Sequence, residues 1–319
     1  MKIDGFKFAE ITLIQALKKY NLPEELKLWG DFRNFVKLNY DHRPIKVLTT
    51  TYFEKLVATI VIFEGKKYKI LPFASSPHTN LETPFGHIYL EEQKSQRDKE
   101  QLWAFLVENL DQYIKKRYLY FSLILPAQLT DIREFQRKNW QSKIHFTYLL
   151  DLEKIRQETV NKYVGKKVRN LVKYADLALE IKKISATEFY SCYTDTYARQ
   201  NKKSPHPLIF FDRLSKLKNS IFWGVFDKKS QSLAGGIIFI EVGSKAYYLT
   251  SGIKQEFFNS NAITLLIYKY LENLVDKPEI KTFDLFGAGS PQVAYFKSIF
   301  NPQLQPFFEV KTGLLAKIT

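Results

Sequence analysis

The stretch TFDLFGAGSPQVAYFKSIFNP, residues 282–302, opens as a buried strand over 282–286 and closes as a helix over 291–300. Between them lies a small-residue turn. Gly287 and Gly289 permit unusual backbone angles or close approach of a ligand, and Pro291 suits the first turn of the helix. The helix carries Phe296-Lys297. Taken alone, a lysine on an amphipathic helix is usually solvated. Asp284, at the end of the strand, either orients and deprotonates an amine nucleophile or caps the following turn through its backbone.

Upstream, residues 262–275 form an almost wholly apolar helix, and 221–226, 233–242 and 246–253 form strands, the last two turning at Val242-Gly243-Ser244. Before these come a helix over 152–175, a strand over 179–184 and helices over 186–200 and 207–217; a strand over 307–311 follows the opening stretch. The first half predicts helices over 8–20 and 23–36, then strands over 45–50, 56–63 and 68–73 with a hairpin turn at Glu64-Gly65. Next is a helix capped by Asp98, with Leu102, Phe105, Leu106, Leu110, Tyr113 and Ile114 as its apolar stripe. A strand over 118–125, a helix over 130–139 and a strand over 145–150 complete that half. Both halves carry the order ααβββαβαβ without identity at a fixed period. Two copies of one fold, divided near residue 150, are the economical reading; a single long mixed sheet is the rival.

A chain of 319 residues with 45% hydrophobic and 15% aromatic content fills real cores and favours strand-rich or mixed architecture. Lys and Arg number 48 against 33 Asp and Glu, a net +15, which favours acidic partners: phosphorylated ligands, tRNA or an anionic membrane face. One cysteine, Cys192, excludes an internal disulfide and a Cys-rich metal site. His42, His78, His87, His145 and His206 are scattered, with no carboxylate or cysteine at ligand spacing, so no metal is expected. The opening MKIDGFKFAEI lacks the apolar core of a signal peptide, and no stretch reaches the length of a membrane span. A cytoplasmic protein is expected.

In TYLLDLEKIRQETVNKYVGKKVRNLVKYADLALEIKK, residues 147–183, a helix would put Val164, Val168, Leu171, Val172 and Ala175 on one face and gather Lys162, Lys166, Arg169 and Lys173 on another. Such a cationic edge either neutralises a pyrophosphate or carboxylate, with Arg169 able to bind bidentately, or is simply solvated.

Asp151, Leu152, Lys167, Arg169, Asn170 and Lys173, followed by the strand over 179–184, resemble the start of the second domain of FemAB-type transferases. Residues 234–253, AGGIIFIEVGSKAYYLTSGI, resemble the paired central strands of the GNAT fold, opened by Gly235 and Gly236. Residues 282–302 resemble the family's Asp-Phe/Leu-x-Gly strand followed by Phe-Lys-x-x-Phe. The chain is thus similar to the FemAB peptidyltransferases and to the CelD-type, BioF2-like acyltransferases of envelope polysaccharides, by motif over 147–319 and by element order over 1–146. This implies an α/β chain with α+β mixed sheets, in two tandem GNAT-like (acyl-CoA N-acyltransferase) domains. Residues 1–150 would be a degenerate acceptor platform without a Phe-Lys equivalent, and 151–319 would hold the donor cleft and the chemistry.

The resemblance further implies that Lys297 stabilises charge on the reacting acyl oxygen or a nearby phosphate, with Asp284 as the other catalytic candidate. Arg169, Asn170, Lys173, Tyr248, Asn261 and Phe296 are its implied substrate- and phosphate-binding residues. In a GNAT fold the strand holding Tyr247 to Ile253 lines the donor cleft, and the helix from Asn261 points free amides at donor phosphate. The loop KQEFFNSN, 254–261, lacks the Gln/Arg-x-x-Gly-x-Gly/Ala cradle of ordinary acetyltransferases, as FemAB-type enzymes do. Acyl-CoA and aminoacyl-tRNA both stay open as the donor co-substrate, with no tightly bound cofactor. The implied reaction is acyl or aminoacyl transfer to an amine or hydroxyl of a small-molecule or lipid-linked peptidoglycan or surface-polysaccharide precursor. Attack is direct, because no Ser-His or Cys-His arrangement supports an acyl-enzyme. Expected partners are that precursor and tRNA, not DNA, with transient contact at a membrane surface. A catalytically inert tandem-GNAT module that binds a nucleotide-linked ligand or RNA is the rival.

Overall fold

In the computed structural model, which describes residues 5–22, 26, 45–67, 70–76, 88–287 and 290–317, the chain begins β1 (Phe6–Thr12), α1 (Leu13–Lys19), β2 (Ile45–Tyr52), β3 (Lys55–Lys67), β4 (Leu71–Ser75), β5 (Ile88–Leu90). It continues α2 (Gln96–Lys115), β6 (Tyr120–Ile124), α3 (Arg133–Arg137), β7 (Gln141–Asp151), α4 (Leu152–Glu158), α5 (Val160–Tyr163), α6 (Lys166–Ala178) and β8 (Leu179–Lys183). Then come α7 (Ala186–Ala198), α8 (Leu208–Ser215), β9 (Ser220–Asp227), β10 (Leu233–Val242), β11 (Lys245–Ile253), α9 (Ala262–Val275), β12 (Thr282–Asp284), α10 (Pro291–Ser298) and β13 (Gln303–Thr312). Two units divide the chain: Met1–His145 with Pro306–Thr319, and Phe146–Gln305. The sequence reading put the division near residue 150 and kept the last strand with the second half. In the structure residues 306–312 of that strand group with the first unit, because Glu309–Thr312 pair with Ile124–Phe121 of β6.

The first unit orders its strands β1-β2-β3-β4-β6-β13, with β5 also on β3 and β4 parallel to β6. Its core lies under α2, where Leu102, Leu106, Leu110 and Ile114 are buried with Ile60, Ile62, Phe121 and Leu123 from the sheet. Burying a leucine-sized side chain contributes roughly 1.5–3 kcal/mol. Ser95, not Asp98, is the N-cap of α2; its Oγ accepts from the Asp98 amide at 3.1 Å. The helix expected over 8–20 begins only at Leu13. Residues 6–12 form a strand instead, paired at seven consecutive positions with β2, and Thr12 closes a capping box with Gln15. Alternation in FKFAEIT fits a strand as well as its apolar residues fit a helix, and the ladder to β2 decides between them. Apart from Leu26, residues 23–36 lie outside the described residues, as do Gly289 and His42, His78 and His87. The turn expected at Glu64-Gly65 between the second and third strands does not fall there, because β3 stays paired with β4 out to Lys67↔Leu71; the preceding β2–β3 turn is Phe53-Glu54, both at positive φ (43° and 68°). Glu64 and Gly65 sit within β3 opposite Ala74 and Phe73, and a Cβ on Gly65 would meet the Phe73 ring at 2.4 Å.

The second unit orders its strands β7-β12-β11-β10-β9-β8, with β12 parallel to β11 and the other pairings antiparallel. The single helix expected over 152–175 is broken twice. Thr159 takes φ 69° and ψ 150°, a region hostile to a β-branched residue, and Val164 and Gly165 are extended. The apolar helix α9 buries Leu265, Leu266, Tyr270 and Leu271 against Phe239 and Phe283, and Tyr270 stacks on Phe239 with centroids 3.6 Å apart. On β11, Gly252 lets the backbone of α7 lie directly on the strand. Ile253 N donates to Thr196 Oγ1 of the same helix at 2.9 Å. Cys192 is buried there, and burial pushes its thiol up to about 11. Among the described residues no helix is long and apolar enough to cross a membrane.

A Cβ at Gly252 would lie 2.4 Å from Cys192 C and Tyr193 N, main-chain atoms that cannot swing aside. Gly252→Ala is therefore expected to destabilise the protein by about 3 kcal/mol. Chemical denaturation at matched m-values checks this, and a change under about 1 kcal/mol contradicts the packing.

Candidate active site

β11 and β12 are paired only at Lys245↔Thr282, Ala246↔Phe283 and Tyr247↔Asp284, while β11 runs on to Ile253. β12 stops there because Phe286 and Gly287 both adopt positive φ, 60° and 63°, which no strand accommodates. On the other edge of β11 the register passes from Phe239↔Tyr248 to Ile238↔Thr250, so Leu249 is a bulge that bends the strand. The two chains fork beyond Tyr247 and Asp284. Among the described residues no strand pairs with residues 248–253 on the β12 side.

Lys297 points into this fork. Its helix, α10, starts from Ser290, whose Oγ accepts from Val293 N, with Pro291 in the first turn. Lys297 is 7% exposed. Its Nζ donates to the carbonyls of Phe286 and Gly287, the latter at 3.0 Å, and lies 5.1 Å from the centre of the Tyr248 ring. The left-handed turn that ends β12 thus also supplies the carbonyls that hold the ammonium. Burial lowers the Lys297 pKa to about 8, opposed by the nearby charge of Asp284. The amine is still mostly protonated at neutral pH. Tyr248 is buried and shares a hydrogen bond of 2.5 Å with Ser251 Oγ; desolvation pushes its phenol up to about 12.

Asp284 ties the turn together. Its Oδ1 accepts from Thr147 Oγ1 at 2.5 Å and from Phe286 N at 2.7 Å, and Gly287 N donates to Thr147 Oγ1 at 3.2 Å. Burial raises the Asp284 pKa, while the Thr147 hydroxyl and the Phe286 amide oppose the rise. The backbone-capping role considered for Asp284 is present in the geometry, and its carboxylate also lies close enough to act on the charge of Lys297.

Of the residues singled out in the sequence, Lys297, Asp284 and Tyr248 come together. Phe296 packs against the core with its ring 6.1 Å from that of Phe300. Arg169 spends Nη1 on the carbonyls of Asn161 (2.8 Å) and Val164 (3.0 Å), while Asn170 and Lys173 are exposed on α6. Asn261 is the N-cap of α9 in a left-handed conformation (φ 59°), with no side-chain cap. Sequence reasoning missed Thr147, the two carbonyls, and Arg199. Arg199 lies 4.2 Å from the centre of the Phe258 ring in the loop before α9, with Nη1 buried and without a hydrogen-bond partner.

The first unit repeats this frame with different chemistry. β4 and β6 are paired at Phe73↔Tyr120, Ala74↔Phe121 and Ser75↔Ser122, and Ser122 stands opposite Lys311 of β13. Two residues before Lys311, Glu309 accepts from Ser122 Oγ at 2.6 Å. In the second unit Asp284 stands opposite Leu149, and Thr147, two residues before Leu149, donates to Asp284. Carboxylate and hydroxyl have exchanged strands. Ser76 then bridges the first unit's fork: its N donates to Ser122 O and its Oγ accepts from Ile124 N, both at 2.8 Å.

Since the folded pKa of Lys297 is about 8 against 10.5 for a free lysine, the folded state carries the cost of a desolvated ammonium, roughly 3 kcal/mol. That cost is present in full below about pH 8 and is relieved as the pH rises towards 10.5. Lys297→Met is expected to be at least as stable as the parent at pH 7, with the difference shrinking between pH 8 and 10 as the parent gains. Denaturation midpoints across that range test it; a Met variant weaker by more than about 1 kcal/mol at pH 7 contradicts it.

No protein-family model and no curated protein sequence matches the chain. Solved structures do. The crystal structure of FemX matches with a TM-score of 0.68 at 11% identity, over 95% of this chain and 96% of that one. A tandem GNAT protein from the clavulanic acid biosynthesis pathway matches at 0.53 and 10%, over 97% and 98%. A conserved protein of unknown function from Bacteroides thetaiotaomicron matches at 0.55 and 11%, over 96% and 99%. At such identities the likeness is one of fold: this is a mixed α/β chain that shares the fold of FemX and of that tandem GNAT protein.

Proposed function

We propose that the protein is an acyltransferase that moves an acyl or aminoacyl group from an acyl-CoA or aminoacyl-tRNA onto an amine or hydroxyl of a peptidoglycan or surface-polysaccharide precursor in the cytoplasm. The observation that carries the reading is the buried Lys297 ammonium in the fork between β11 and β12. Attack of the acceptor on the donor carbonyl forms the new C–N or C–O bond and drives the π electrons onto oxygen. Collapse of that oxyanion expels the thiolate or the tRNA ribose oxygen, which takes up the proton that the acceptor nitrogen or oxygen releases.

A lysine ammonium has three N–H donors. Two are taken by the Phe286 and Gly287 carbonyls, which leaves one for the acyl oxygen. A preorganised, water-poor cation of this kind lowers such a barrier by several kcal/mol. Asp284, through Thr147 and the Phe286 amide, holds the turn that positions Lys297. The β11 edge past Tyr247 suits an extended donor arm, bound as an added strand would be. The first-turn amides of α9 and the guanidinium of Arg199 suit donor phosphate in place of the glycine cradle that residues 254–261 lack. With Ser76 across its fork and no Phe-Lys pair on the helix after β6, the first unit suits the acceptor-platform role.

The test is a mass-spectrometric transfer assay pairing acyl-CoA and charged-tRNA pools with peptidoglycan and surface-sugar precursors. A donor-dependent mass gain is expected, lowered at least about a hundredfold in Lys297→Ala. Because the protonated amine does the work, the rate should fall as the pH rises through about 8. No gain with any pair, beside tight binding of RNA or a nucleotide-linked sugar, would assign the chain to inert binding modules.

A further inference from the structure

The helix α6 buries Val168, Val172 and Ala175, which turns the opposite arc to solvent. At about 100° per residue that arc carries Lys166, Lys167, Asn170, Lys173, Tyr174 and Leu177, with three lysines and no carboxylate. Tyr174 is 70% exposed and Leu177 72% exposed. Lys167 reaches across to α10, donating to the hydroxyl of Tyr295 at 2.7 Å, and Tyr295 is itself 65% exposed. Arg169, at the flank, is turned back onto main-chain carbonyls and leaves the arc to the lysines and the apolar tips.

Single exposed apolar residues are ordinary, but three large ones among lysines on one face are a surface with a chemical match. An anionic lipid interface supplies both halves of it. Tyrosine and leucine tips enter the boundary between headgroups and acyl chains, while the lysines meet lipid phosphates. A nucleic acid would engage the lysines and stack on Tyr174, but it offers nothing to Leu177. The net charge of +15 adds long-range attraction to a negative surface.

We propose that this outer face of α6, with Tyr295 beside it, is a reversible docking surface for an anionic lipid bilayer. The interaction needs neither donor nor acceptor, so it stands or falls apart from the transferase reading. Docking brings the second unit to the interface by a shallow apolar contact that salt weakens and does not abolish.

Flotation of the full chain with vesicles of phosphatidylcholine plus phosphatidylglycerol, and of phosphatidylcholine alone, tests it. The chain should rise with the first and not with the second. Tyr174→Ser/Leu177→Ser should weaken binding about tenfold or more even at low salt, and Lys166→Gln/Lys173→Gln about thirtyfold, with a flatter salt dependence. Unchanged thermal melts for both double variants establish that they fold. A chain that stays below the vesicles, binds both lipids equally, or keeps its affinity in both double variants overturns the proposal. So does capture by a single-stranded RNA oligonucleotide without vesicle binding, which would give the face to nucleic acid.

Discussion

Three residue pairs join β12 to β11, and the brevity of that contact governs what the second unit can do. A longer parallel pairing would close the sheet and bury the edge of β11 under ladder hydrogen bonds. The pairing is cut short by a left-handed Phe286, a conformation that costs a non-glycine residue about 1–2 kcal/mol. Three main-chain donors hold it there: Phe286 N to Asp284, Gly287 N to Thr147, and Leu285 N to the Tyr148 carbonyl. The strained turn in its place supplies the two carbonyls on which the Lys297 ammonium rests. The turn would relax without the network, and the ammonium would have no partners without the turn.

The first unit indicates what the same frame does when it is saturated. Its fork carries a buried carboxylate, Glu309, that meets Ser122, Lys311 at 3.2 Å and His145 at 3.1 Å. Burial alone would raise the Glu309 pKa; the Ser122, His145 and Lys311 contacts lower it further than burial raises it. Every charge there has an internal partner, and Ser76 spans the opening. The helix after β6, which corresponds in order to α10, presents Phe135 to the core with 1% exposure, where α10 presents Lys297. The same frame holds its register in both units, while among the described residues only the second carries a desolvated cation with a donor to spare.

Much of the second unit was legible because its strands are runs of β-branched and aromatic residues, and β10 is closed by a glycine at positive φ. β10, its turn at Gly243 (φ 55°) and the apolar helix α9 fall where periodicity puts them. The Phe-Lys pair likewise marked Lys297. Features set by distant or unusual backbone were not legible. β1 is a strand because of partners about forty positions away, the β2–β3 turn uses Phe53 and Glu54 without a glycine or asparagine, and Thr159 breaks a helix whose side chains permit it. The Thr147–Asp284 contact joins residues 137 positions apart, and nothing in spacing or composition announces it.

The helix α6 illustrates how a motif can mark a fold without lining its cleft. Lys167, Arg169, Asn170 and Lys173 are close in sequence, yet on a helix they spread over nearly half the circumference. Arg169 lies outside the arc that the other three share. Arg169 closes the carbonyl end of the short helix α5, where a cation offsets unpaired carbonyls; Lys167 ties α6 to α10 through Tyr295; Asn170 and Lys173 face water. Two of these contacts brace segments that pack beside the fork, so the pattern is explained by assembly of the second unit. The buried cation of the fork comes instead from α10, whose lysine reaches the carbonyls of a turn that a strand too short to stay paired leaves open.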